Sequence, residues 1–148
     1  MKNQEIKKIK VGVYDPFLDT LGGGEKYIFS IMDVLADLEY EINIIWDKDL
    51  SHEIKKRFSF RCIDTSKFLP LKTLRTLRTF DYFFYVTDGS YFFSGAKKNF
   101  VYAMIPDKKL YSQGLINKLK LINYQFITHS VFTQKWLSKF GIKSEVIM

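Results

Sequence analysis

A β-rich run, a glycine-rich turn, an amphipathic helix and a second β-rich run follow one another at the start of the chain, and this order restricts the fold more than any other feature. Ile9-Lys10-Val11-Gly12-Val13-Tyr14 is rich in strand formers and stops at Asp15-Pro16, where proline ends a central strand. After a loop from Phe17 to Leu21 and three glycines, Ile28, Ile31, Met32, Leu35 and Leu38 recur at helical spacing and predict a helix over about 23–38. Glu41-Ile42-Asn43-Ile44-Ile45-Trp46 returns to strand character. Strand, helix and strand in this order close a βαβ unit, whose strands run parallel and whose crossover is right-handed.

The alternation continues. Ser51 is read as the cap of a short helix with Glu53 in its first turn, Phe58 to Ile63 as a third strand and Ser66 to Arg78 as a helix. Phe80 to Val86 is a nearly unbroken hydrophobic run, the pattern of a central strand covered on both faces, and it accounts for most of a local aromatic cluster between Phe80 and Phe93. Asn99 to Met104 predicts the next strand, Lys108 to Asn123 a helix, Tyr124 to Thr128 a strand, Val131 to Phe140 a helix stopped at Gly141, and Ser144 to Ile147 a last strand. The expected fold class is α/β, a doubly wound, mostly parallel, Rossmann-like sheet in a single domain over residues 1–148. The last strand meets Met148 with no closing helix, so one half of something longer is expected.

A chain of 148 residues buries about two-thirds of its unfolded surface and needs no staple. Cys62 is the single cysteine, which excludes an intrachain disulfide framework and suits a reducing compartment. His52 and His129 are far apart and offer no paired ligand spacing, so no metal is expected. No stretch of about 18 apolar residues and no secretory leader pattern occur, and the expected location is cytoplasmic. The net charge of +7 suits phosphate-bearing partners or anionic membranes, but the cations are scattered and no nucleic-acid motif is present, so nucleic acid is not an expected partner.

Gly22-Gly23-Gly24-Glu25 opens the first helix. Missing side chains let a ligand approach backbone N–H groups at a helix N-terminus, whose partial positive charge favours phosphate or polar oxygens. The plainer alternative is a flexible turn in which Glu25 complements the helix dipole. The spacing matches neither the dinucleotide-binding nor the P-loop pattern. Asp88 and Ser90 follow the central strand at the edge where such sheets bind ligands, although Asp88-Gly89-Ser90 is also good turn chemistry. Ser130 is either the cap of the helix from Val131 or a cleft residue. Leu71 to Arg78 alternates leucines and cations every three residues: leucines on the sheet with cations in water, or a basic amphipathic surface for peripheral contact with an anionic membrane.

The first strand, Gly22-Gly23-Gly24-Glu25 and its helix resemble the N-terminal domain of family-4 glycosyltransferases with the two-domain GT-B fold. Asp88-Gly89-Ser90, Tyr102-Ala103-Met104-Ile105-Pro106, Thr128-His129-Ser130-Val131-Phe132-Thr133 and Phe140-Gly141-Ile142-Lys143-Ser144-Glu145-Val146-Ile147 follow in that family's order, so the likeness spans essentially the whole chain. It implies an acceptor-binding half of a retaining enzyme. The partner would be a C-terminal donor-binding domain, the co-substrate a nucleotide-sugar, and the acceptor a saccharide or lipid-linked molecule. No further cofactor and no obligatory metal are implied. Gly22, Gly23, Gly24, Glu25, Asp88, Ser90, Tyr102 and Ser130 would line the substrate and phosphate cleft. Many members carry a histidine shortly before the proline, where Tyr102 or Met104 stands here; neither titrates like imidazole, so no catalytic residue is assigned. His129 is expected to be structural or partly exposed. The isolated chain is not expected to turn over. The alternative function is a non-catalytic Rossmann-like module that binds a phosphorylated ligand, a polyanion or a protein.

Overall fold

The computed structural model describes residues 7–111 and 114–147. Seven strands, β1 (Lys10–Tyr14), β2 (Glu41–Ile45), β3 (Lys67–Leu69), β4 (Tyr82–Val86), β5 (Lys98–Tyr102), β6 (Tyr124–Thr128) and β7 (Ser144–Val146), form one sheet. Their order is β3-β2-β1-β4-β5-β6-β7 and all neighbours are parallel. Among the described residues the α-helices are α1 (Gly23–Asp37), α2 (Ser51–Phe58), α3 (Leu115–Lys120) and α4 (Val131–Ser138). The chain builds outward from β1 to β3, returns to lay β4 beside β1, and builds outward again to β7. This is the doubly wound Rossmann-like arrangement, with its switch point between β1 and β4.

Period-two alternation sends the strands' side chains into two cores. Val11, Val13, Ile42, Ile44, Phe84 and Val86 meet Ile28, Phe29 and Met32 of α1 and Ile54 of α2 on one face. Phe83, Tyr85, Val101 and Phe126 meet Leu77, Leu137 and Ile142 on the other. Burial on both faces explains why the central run reads as continuously hydrophobic. Gly12 has a steric reason: a Cβ there would stand 3.0 Å from the Phe80 ring, which lies against β1.

The middle of the chain departs from the sequence expectation. Ser51 does not cap α2; it is the helix's first residue, and its N–H is bound by Asp49 Oδ1 at 2.8 Å. Phe58 to Ile63 is not a strand. α2 runs through Phe58, Ser59 takes a left-handed conformation at φ 57°, and Phe60 packs against Phe29 and Phe58. Arg61–Asp64 then forms a 3-10 turn whose Cys62 N–H binds Asp33 of α1 at 2.7 Å. Aromatic residues with strand propensity are recruited to the α1 face, and the edge strand falls to Lys67–Leu69.

Ser66 to Arg78 is not an α-helix either. Residues Leu71–Thr79 form 3-10 turns interrupted at Thr76, which has φ −129° and ψ 42°. A 3-10 helix has three residues per turn, so a leucine every third residue keeps to one side. Leu71, Leu74 and Leu77 pack on the second core while Lys72, Arg75 and Arg78 are exposed. The expected helix over 108–123 is divided into 3-10 turns at Lys108–Tyr111 and Leu121–Asn123 with α3 between them, and its residues 112 and 113 lie outside the described set. The charged start through residue 6 and the terminal Met148 lie outside it as well. Gly141 stops α4 as expected, at φ 75°.

Candidate functional site

In a parallel sheet all carboxyl ends share one edge, and ligands gather where the winding reverses. Here β1 ends in Tyr14 and Asp15, β4 in Val86 and Thr87, β5 in Tyr102, and β6 in Thr128 and His129. The glycine-rich turn into α1 stands beside β1 at the same edge.

Gly22 is the extended cap of α1 at φ −90° and ψ −160°, and having no side chain it leaves the first-turn N–H groups of the helix uncapped from that side. Glu25 reaches back instead. Its Oε2 accepts from the Gly22 N–H and from Thr20 Oγ1 at 3.1 Å, and the residue is only 2 % exposed. Glu25 therefore holds the loop in shape, in keeping with the plainer of its two roles. The three glycines are not equivalent. A Cβ on Gly22 would press on Glu25 at 3.0 Å, and one on Gly24 would overlap Met104 Sδ at 1.8 Å. A Cβ on Gly23 would meet nothing within 4 Å. Gly24 thus makes room for a protein side chain, and Gly23 faces open space.

Asp15, read from the sequence only as a strand stop, belongs to this edge. It is 3 % exposed; Oδ1 accepts the Phe17 N–H at 2.8 Å, and Oδ2 has no hydrogen-bond partner. Burial, aided by the negative charge of Glu25, raises its carboxyl to about 7 against the opposing pull of the Phe17 N–H.

Tyr102, at the end of β5, is buried, and its hydroxyl lies 3.0 Å from Nδ1 of His129. Tyr27 of α1 stacks on the Tyr102 ring at 5.2 Å between centroids and also approaches the imidazole. Burial pushes the Tyr102 hydroxyl well above the ordinary range, so it stays protonated, and it donates to or accepts from Nδ1 according to the imidazole's tautomer. His129 is 27 residues from Tyr102, at the end of the next strand. Adjacent strands remove that distance, because Tyr102 pairs with Ile127 in register. Met104 lies over Gly24, and with Phe17, Thr87, Tyr102 and Tyr111 it lines a pocket of about 170 Å³ at the carboxyl edge.

Asp88 and Ser90 lie just past β4 and bind chiefly each other. Asp88 Oδ1 accepts from Ser90 Oγ at 2.6 Å, from the Ser90 N–H at 3.0 Å and from the Tyr85 hydroxyl at 2.9 Å, around Gly89 at φ 98°. Burial works to raise the Asp88 carboxyl, but these hydrogen bonds outweigh it and hold it below the usual carboxylate range. The turn role describes them. Ser130 caps α4: its Oγ accepts the Thr133 N–H at 3.1 Å.

A larger hollow of about 720 Å³ lies between α4 and the sheet's edge near Gln125, Gly141 and Ser144. Its polar lining residues bind one another, Gln125 to Glu145 at 2.7 Å and Gln134 to the Ser144 carbonyl at 2.9 Å, and it lies at the β7 edge, away from the switch point. Among the described residues no group of three or more His, Cys, Asp or Glu side chains is placed to hold a metal ion, and no helix is long and apolar enough to cross a membrane.

Fold and edge together define the class: a Rossmann-like α/β domain with a glycine-opened helix start, a buried carboxyl and a Tyr–His pair around its switch point. No family model matches the chain, and no curated protein matches it significantly.

Proposed function

We propose that this chain is the acceptor-side domain of a retaining GT-B glycosyltransferase, which moves a sugar from a nucleotide-sugar to a saccharide or lipid-linked acceptor. The observation that carries this reading is the open approach to Gly23 at the start of α1, on the edge that also holds Tyr102, His129 and Asp15. Helix-start amides suit a phosphate or hydroxyl oxygen, and an imidazole held through Nδ1 leaves Nε2 for a second contact. His129 then supplies, from the neighbouring strand, the imidazole that the Tyr102–Met104 segment lacks. The donor would be held by a further C-terminal domain, and transfer requires groups on both sides of the cleft. A reducing, cytoplasmic location goes with this reading.

The test is a chemical-shift titration with nucleotide-sugars and free saccharides, watching the amides of Gly22 to Gly24 and His129. Saturable shifts are expected in the native chain and not in Gly23→Ala, whose methyl meets no protein atom and so spares the fold. No shifts with either ligand class would count against the reading, as would sugar transfer by this chain alone. The lack of a histidine in the segment from Tyr102 to Met104 favours a second reading, a non-catalytic module for phosphorylated ligands. Shifts with inorganic phosphate but with no saccharide would select it.

A further inference from the structure

α3 and the turn after it are built inside out. Leu115, Ile116, Leu119 and Ile122 are 78, 65, 54 and 72 % exposed, while Leu121 is the side chain turned to the second core. Within α3, advancing about 100° per residue, Leu115, Ile116 and Leu119 fall in a sector of about 100°, with Lys118 about 60° and Lys120 about 40° beyond its borders, and Ile122 follows in the 3-10 turn. Single exposed leucines need no explanation, but four contiguous ones mark a contact surface.

The surroundings are cationic. Lys118 and Lys143 line the hollow on one side of Ile122, and Lys97 and Lys98 the hollow on another. The Lys120 ammonium stands 5.7 Å from the ring centre of Phe93, itself 69 % exposed. Of these cations Lys97 is paired, with Asp81. Residues 108–125 contain four lysines and no aspartate or glutamate.

We propose that this face of the β5-to-β6 crossover docks on an anionic lipid bilayer. Aliphatic side chains this exposed fit disordered acyl chains, which need no complementary groove. The flanking lysines extend their ammonium groups to lipid phosphates. The Leu71 to Arg78 stretch, the sequence's candidate for membrane contact, suits this part less well, because Leu77 is buried and the cations there have no exposed leucine stripe beside them. The turn Leu121–Asn123 leads into the amino end of β6, whereas the candidate site lies at the carboxyl edge. The inference does not depend on sugar transfer.

Flotation of the chain with vesicles tests it, using phosphatidylcholine with or without about one-third phosphatidylglycerol at low salt. Binding to the anionic vesicles is expected. Leu119→Gln with Ile122→Gln should weaken it by at least about tenfold. Lys118→Gln with Lys120→Gln should weaken it on the order of 20-fold at low salt. Lys72→Gln with Arg75→Gln, which removes the same charge elsewhere, should change it much less. Circular dichroism checks that each variant keeps its fold. Absence of binding to anionic vesicles would overturn the proposal, as would equal binding by the aliphatic double variant. So would a dimer mass in light scattering that the aliphatic variant abolishes, since a second copy would then cover the face.

Discussion

Asp15 leaves β1 with one oxygen bound and the other alone, and this has a consequence for stability. Its carboxyl is raised in the folded chain to about 7, first by burial and then by the nearby Glu25. The folded state therefore holds a proton that the unfolded chain has released above about pH 4. Stability falls as pH rises through that window and levels off above the folded value. Asp15→Asn keeps an acceptor for the Phe17 N–H and removes the titration. Its stability relative to the native chain should rise between about pH 5 and pH 8 by on the order of 1–3 kcal/mol, measured from urea midpoints. A difference that stays flat with pH would refute this account. Sequence alone showed Asp15 as punctuation before proline, because nothing local reveals that α1 folds over it.

Between Leu71 and Thr79 the sequence carries a legible signal that an α-helical reading discards. A leucine every third residue drifts around an α-helix but lines up on a 3-10 helix. Leu77→Ala should cost about 2–4 kcal/mol, because the side chain is 2 % exposed in the second core. Lys72→Gln should stay within about 0.5 kcal/mol, and the two thermal midpoints together check the assignment. At the start of α4, Ser130→Ala removes the acceptor for the Thr133 N–H and should cost about 1 kcal/mol by the same measurement. Equal midpoints for Ser130→Ala and the native chain would mean that the cap contributes nothing. The βαβ opening, β6 and α4 were legible because their period and stop signals agree. The Phe58 to Ile63 segment was not, because its strand-forming aromatics are drawn to Phe29 on α1.

For the whole molecule, the charge balance matters more than any single ion pair. The pairs Lys48–Glu53, Lys55–Asp64, Arg61–Asp37, Lys67–Glu41 and Lys97–Asp81 each involve a cation at the surface. Such pairs are individually worth little. A net charge of +7 repels itself, and screening relieves that repulsion. Raising salt from about 0.02 M to 0.3 M should therefore raise the thermal midpoint by a few degrees. A fall would show that the pairs dominate.

Local sequence accounts for the βαβ opening, β6 and α4, the two-sided burial of β4, the glycine opening of α1 and the stop at Gly141. Each of these depends on neighbours within a few residues, through period, propensity or backbone freedom. Tertiary structure decided which strands adjoin. That choice brought His129 to Tyr102, turned Glu25 back onto its loop, set Met104 over Gly24 and left the aliphatic face of α3 outward. These outcomes depend on strand order and on which core each crossover covers, and neither is encoded in local spacing.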